Sequence, residues 1–234
     1  MIAREGLYLI LTAVVITIGF ILAASRWDSK VLFAISALFA LLTMFTVFFF
    51  RDPVRKPVEQ ERVLVAPADG KVIGVDTLQN HEFIGGPAIK VSIFLSVFDV
   101  HVNRVPATGV VDFVKYNPGK FFVAYADKAS DLNEQTEIGM TAEGGHKLIF
   151  KQIAGLIARR VVCRLEQGSR VTAGERFGMI KFGSRAELVV SAGSQIEVKV
   201  GDHVAGGTSV IGYLPEKTAK SGEESSARGS NVQI

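Results

Sequence analysis

Two long apolar runs open the chain. Residues 7–24 carry no charge and are interrupted only by Thr12, Thr17 and Gly19. Residues 31–50 form a second run, interrupted only by Ser36, Thr43 and Thr46. Each is about 18 to 20 residues long, close to what a helix needs to cross a bilayer core. Only Ser25-Arg26-Trp27-Asp28-Ser29-Lys30 separates them, so the pair predicts an antiparallel transmembrane α-hairpin over residues 1–50. Trp27 suits the lipid–water interface. A cleaved signal peptide is the competing reading, with Arg4 as its charged start and Ala23-Ala24-Ser25 as its cleavage site. The length of the first run and the immediate second run favour the hairpin.

Residues 51–61 read as a polar, Pro-containing linker, and from residue 62 the pattern becomes short β-like runs. Residues 63–65 and 72–75 predict two strands joined through Asp69-Gly70 as a tight turn. Further strands are expected over 88–97, 110–114 and 146–154, with 154–164 either strand or helix. Residues 121–133 read as a loop over a site. Val171-Thr172-Ala173-Gly174 and Val204-Ala205-Gly206-Gly207 lie about 33 residues apart, each followed by an apolar pair, a faint duplication of the kind small lipoyl-type barrels carry. The expected architecture is therefore mainly β: a barrel- or sandwich-like soluble domain over 62–215 with lipoyl-like elements, behind the membrane hairpin. Residues 216–234, rich in Ser, Gly, Lys and Glu, read as a disordered tail.

The net charge of +3 is compatible with an anionic membrane surface and too weak to argue for nucleic acid. Arg4, Arg51, Arg55 and Lys56 flank the outer ends of the hairpin, against Arg26 and Lys30 in its loop. That excess favours the cell membrane with both termini and the large domain on the cytoplasmic face. The single cysteine, Cys163, sits in an apolar run and reads as a buried structural thiol. His81, His101, His146 and His203 are scattered singly, so no metal is expected.

Candidate chemistry centres on Phe182-Gly183-Ser184-Arg185, at a break between two apolar runs. A Ser hydroxyl placed after an accessible Gly carbonyl can attack it and turn the peptide into an ester. Elimination then cleaves the chain, and the resulting dehydroalanine hydrolyses to a pyruvoyl group. An ordinary turn is the alternative, and Gly168-Ser169-Arg170 repeats the same triplet. Asp99, His101 and Asn103 alternate with Val100 and Val102 and share one face of an extended segment. His101 is either a hydrogen-bonded structural residue or a proton-transfer group.

In series, the hairpin, Pro67-Ala68-Asp69-Gly70, Phe98-Asp99-Val100-His101-Val102-Asn103-Arg104-Val105-Pro106, Pro118-Gly119-Lys120-Phe121, Asp127-Lys128-Ala129-Ser130, the run from Gln152 to Arg160 and Phe182-Gly183-Ser184-Arg185 resemble the short form of phosphatidylserine decarboxylase. The resemblance covers roughly residues 60–215. It implies a proenzyme that cuts itself between Gly183 and Ser184, and it is what selects this pair over Gly168-Ser169. Fragments 1–183 and 184–234 would stay together, the smaller one beginning with the pyruvoyl cofactor formed from Ser184. That group would form a Schiff base with the amine of phosphatidylserine and release carbon dioxide to give phosphatidylethanolamine. The resemblance also implies catalytic roles for Asp69 and His101. Arg104 stands where the long form has a second histidine. Arg104, Arg159 and Arg160 are the candidate phosphate ligands. A diacyl or an ether lipid as substrate, and a higher oligomer, stay open. The rival outside the enzyme class is a membrane-tethered lipoyl- or biotinyl-like barrel, a non-enzymatic adaptor or carrier loaded at Lys128.

Overall fold

The structure, a computed structural model, describes residues 1–56, 58–119, 133–155, 160–181 and 184–216. Two helices form the hairpin, α1 (Leu7–Trp27) and α2 (Lys30–Phe49). The first helix runs on past the last apolar residue to Trp27, because helical hydrogen bonding tolerates Arg26, a cation well placed in the last turn. The turn itself is short: Asp28 takes a left-handed conformation (φ 45°), and Ser29 caps α2 by accepting the Leu32 N–H. Thr12, Thr17, Ser36 and Thr46 return their hydroxyls to the carbonyl four residues back. Phe20 stacks on Phe39 across the pair at 4.8 Å, and Thr17 and Thr43 hydroxyls meet at 2.9 Å. Most of the remaining apolar surface of both helices faces outward, and both are long and apolar enough to cross a membrane.

The base of the hairpin is built into the β domain. Ala3 N–H donates to Phe50 O and Asp52 N–H to Met1 O, so the segments entering α1 and leaving α2 pair with each other. Phe49 and Phe50 then pack with Val100, Val102 and Met179.

The strands are β1 (Val63–Val65), β2 (Gly70–His81), β3 (Gly86–Leu95), β4 (Val102–Arg104), β5 (Gly109–Asn117), β6 (Gln135–Ala142), β7 (Lys147–Ala154), β8 (Val161–Cys163), β9 (Arg170–Val171), β10 (Arg176–Ile180), β11 (Ser184–Ser191), β12 (Gln195–Ile196), β13 (His203–Val204) and β14 (Val210–Tyr213). They form a sheet in the order β13-β2-β3-β11-β7-β6-β5-β9 and two smaller sheets, β1-β14-β12 and β4-β10-β8, all antiparallel. Leu64, Ile93, Val111, Ile138, Phe150, Phe177, Leu188 and Ile211 contribute to the main core. Cys163 packs at its margin, where burial pushes the thiol up, so it stays protonated and inert.

These orders are symmetric. Exchanging β1 with β4, β2 with β5, β3 with β6, β11 with β7, β12 with β8, β13 with β9 and β14 with β10 reverses the large sheet onto itself and swaps the small ones. The hydrogen bonds repeat too. Gly207 N–H donates to Ala66 O and Gly174 N–H to Val105 O, each at 2.8 Å; Val65 N–H donates to Pro106 O and Arg104 N–H to Pro67 O. Gly174 and Gly207 both take a left-handed φ, 80° and 77°. The faint valine–glycine duplication in the sequence is the trace of this two-fold.

One half is residues 102–180, and the other is residues 63–95 with 184–213. The first half is therefore inserted between Leu95 and Ser184, which face each other across β3 and β11. At the matching place in the inserted half the chain simply turns, with Ala142 N–H bonded to His146 O. The expected hairpin through Asp69-Gly70 does not form, since β1 pairs with β14 and β2 with β3 and β13. Gly70 is needed there for approach: with φ 145°, any Cβ would collide with the Phe94 carbonyl.

Candidate active site

Strand β10 ends at Ile180 and β11 begins at Ser184, so the sheet pattern breaks where the sequence places its Gly-Ser pair; Phe182 and Gly183 lie outside the described residues. The Ser184 backbone is held on both sides, by Leu95 of β3 and Ala154 of β7. On the other side of the break, Ile180 N–H donates to His101 O at 3.2 Å. His101 also lies a few residues beyond Leu95. The fold thus delivers His101 to the break from both directions.

His101 is fully buried. Its Nδ1 lies 2.9 Å from Asp99 O. A carbonyl only accepts, so Nδ1 carries the hydrogen and Nε2 keeps the lone pair. Phe49 covers the ring, with centroids 4.3 Å apart. Burial lowers its pKa to about 4, against the opposing pull of the Asp99 carbonyl and the Asp99 and Asp69 carboxylates; Arg51 adds to the lowering. The imidazole is neutral at pH 7.

Asp69 packs close by: its neighbour Ala68 contacts Leu95 and Ala186. Its carboxylate receives Arg55 through both oxygens, at 2.5 and 2.7 Å, and accepts the Gly206 N–H at 2.8 Å. Arg55 also donates to Gly206 O. The two-fold separates structure from chemistry here. Its counterpart Thr108 accepts the Ala173 N–H at 3.0 Å, so the bond to a glycine-turn N–H is the shared, structural part. The negative charge and its arginine belong to Asp69 alone.

Gly168-Ser169 proves to be an ordinary turn. Gly168 has φ 84°, Ser169 N–H donates to Glu166 O, and the Ser169 hydroxyl accepts the Glu166 N–H at 3.2 Å. No group of His, Cys, Asp and Glu among the described residues could hold a metal.

A sequence model of phosphatidylserine decarboxylase matches residues 42–212. The chain is 42% identical over 199 residues to a protein of Symbiobacterium thermophilum, covering 85% of this chain and 93% of that one. It is 41% identical over 213 residues to one of Desulfotalea psychrophila, covering 91% and 96%. It is 47% identical over 185 residues to one of Salinibacter ruber, covering 78% and 81%. All three are named phosphatidylserine decarboxylase proenzyme. The chain belongs to the phosphatidylserine decarboxylase family.

It is an enzyme of that family, and its arginines divide accordingly. Arg104, expected at a phosphate, is committed elsewhere. Its Nη1 donates to Gly174 O at 3.0 Å, and its Nη2 donates to Asp52 Oδ1 and Pro53 O, each at 3.1 Å. Asp52 is buried and also pairs with Arg176 at 2.9 Å. Arg104 therefore ties the linker from the hairpin to the domain, because its stem leaves β4 toward residues 52–53 rather than toward the break. Arg160 is exposed, and its carbonyl accepts the Lys181 N–H next to the break, which leaves it available to an anion. Arg159 and Gly183 lie outside the described residues, as do Lys128 of the carrier reading and the tail from 217 on.

Further residues, not singled out by the sequence, surround His101, Asp69 and the break. Arg55 lies in the polar linker and Phe49 in the second long apolar run, where the sequence pattern does not mark either of them. Gln152 of β7, paired with Ala186, donates to Asn103 Oδ1 at 2.8 Å and to Val162 O. Both amides are fully buried, and Gln152 Oε1 and Asn103 Nδ2 have no partner. Two unsatisfied hydrogen-bonding atoms beside the break mark a place built for a polar group.

Proposed function

We propose that the protein cuts itself between Gly183 and Ser184 and then decarboxylates phosphatidylserine to phosphatidylethanolamine in the membrane its hairpin crosses. The observation that carries this reading is the neutral, buried His101 held against Ile180 and following β3, whose end pairs with Ser184. A neutral imidazole is a base that can take the proton of the Ser184 hydroxyl as it attacks the Gly183 carbonyl. Breaking that peptide costs no sheet pairing, since β10 keeps β4 and β8 while β11 keeps β3 and β7. The small fragment supplies β11 to β14, whose partners β1, β2, β3 and β7 are on the large one. The fragments accordingly stay together as a heterodimer.

The residues around Ser184 fit a pyruvoyl group, because the unpartnered Asn103 Nδ2 can donate to a carbonyl there. That group supplies a ketone that condenses with the head-group amine and draws off the electrons freed when carbon dioxide leaves. His101 is placed to pass a proton to the carbon that carbon dioxide has left, where the low basicity of its buried ring favours giving the proton up. Arg160 and Lys181, beside the break, offer positive charge to the phosphate. The basic residues at the hairpin base favour the cytoplasmic face for the domain.

Carbon dioxide release from phosphatidylserine in mixed micelles tests the chemistry. Hydroxylamine, which captures ketones, should abolish it, and a chelator should leave it unchanged. Release that survives hydroxylamine would contradict the pyruvoyl reading.

A further inference from the structure

The tip of the loop between β3 and β4 is a second, smaller feature aimed at lipid. Phe98 is 66% exposed, unusual for a phenylalanine three residues from a fully buried active-site histidine. It is not there by disorder. Asp99 turns its carboxylate back onto Ser96 N–H at 2.7 Å, Asp99 N–H donates to Ser96 O, and Phe98 N–H donates to the Ser96 hydroxyl. The loop is a closed turn that presents the ring outward at little entropic cost.

That turn is fastened to the end of α2. Arg51 donates to Phe98 O at 2.6 Å and to Phe48 O at 3.0 Å, and its guanidinium lies 3.9 Å over the Phe48 ring. One guanidinium therefore spans the last turn of a membrane-length helix and the loop tip, setting both at one level. Val54, in the linker three residues after Arg51, is 73% exposed. Arg51 and the exposed Arg4 and Lys56 add positive charge at this end of the hairpin. Asp99, the nearby acid, is engaged inward and does not confront an anionic surface.

We propose that the 96–99 loop is a membrane-contacting element whose Phe98 enters the interfacial layer of the bilayer crossed by α1 and α2. An aromatic ring with neighbouring cations is suited to that layer. Its seating holds the loop that leads into His101 at head-group depth, close to a lipid's head group. The inference rests on the membrane reading of the hairpin and not on the pyruvoyl chemistry.

The chain has a single tryptophan, Trp27, at the far tip of the hairpin. This allows both readings to be tested separately in anionic proteoliposomes containing lipids brominated near the head-group end of the acyl chains. Wild type reports on the hairpin through Trp27. A Trp27→Phe, Phe98→Trp protein reports on the loop. Quenching of the tryptophan at 98 by the brominated lipid, with protection from aqueous iodide, is the expected result. Iodide-accessible, unquenched emission from position 98 in protein whose wild-type Trp27 is quenched would overturn the loop proposal alone. Unquenched Trp27 would overturn the membrane reading and this proposal with it.

Discussion

The ring of Phe49, the last residue of α2, lies 4.3 Å from the imidazole of His101 and tilted by 39°. The base of the apolar hairpin therefore forms a wall against His101. Replacing Phe49 with Leu should thin that wall while keeping most of the packing, at a cost of about 1 kcal/mol. Water then reaches the imidazole, and its pKa should rise from about 4 toward the free value. The acid limb of the activity–pH profile should move up in the same direction. An unmoved limb would mean that Phe49 only packs.

His101 should also make stability depend on pH. The unfolded chain takes up the proton near 6.5, but the folded chain only near 4. Between those values the unfolded state binds more protons, so acidification favours unfolding and stability falls. The full effect is about 3 kcal/mol, present at pH 7 and lost as pH falls through that window. Urea midpoints in detergent at pH 7 and pH 4.5 measure it, and His101→Gln should remove most of the difference.

The internal two-fold gives a paired test at Asp69. Asp69→Thr installs the side chain its counterpart uses, so the Gly206 N–H keeps an acceptor while the charge facing Arg55 and His101 is lost. Folding should survive, as judged by its denaturation midpoint, and chain cleavage should slow by an order of magnitude or more. Thr108→Ala should cost about 1 kcal/mol of stability and leave cleavage at its normal rate. Equal cleavage defects in both variants would assign Asp69 to the turn alone.

Asp52 holds two arginines at once, Arg104 and Arg176. Asp52→Ala strands the buried Arg104 charge and should destabilise by about 3 kcal/mol or more. Arg104→Met removes the charge and refills the space, and should cost clearly less. The comparison is read from denaturant midpoints. If Arg104→Met instead keeps full stability but loses lipid turnover through a raised KM, Arg104 serves the substrate after all.

What the sequence shows of this structure depends on range. The hairpin was legible because its apolar pattern runs unbroken over two helix lengths; its ends differ by a few residues, since α1 continues through Arg26 and Trp27 and α2 spans Lys30–Phe49 rather than 31–50. The β character was legible from alternation, but the pairing was not. Val63–Val65 and Gly70–His81 look like a hairpin locally and yet belong to different sheets. The two-fold left more signal than the valine–glycine repeat: Ala66-Pro67-Ala68-Asp69-Gly70 and Val105-Pro106-Ala107-Thr108-Gly109 follow one template. Aligning them would have located the insertion point at Leu95 and Ser184. Charges were the least legible. Arg55, Arg104 and Arg160 look alike in sequence, and only the path of the linker decides that two of them are ion-paired within the protein. Phe49 could not be singled out, because its contact with His101 is a tertiary one inside a long run whose apolar pattern draws no attention to any one residue.

The most direct test is the intact mass of the purified protein beside a Ser184→Ala control. Wild type should give two chains, 1–183 and 184–234, the smaller lighter than its unmodified sequence by one ammonia, and the control should remain whole. A single full-length chain in folded wild type would contradict the self-processing enzyme, and a cut at Gly168-Ser169 would overturn the choice of site.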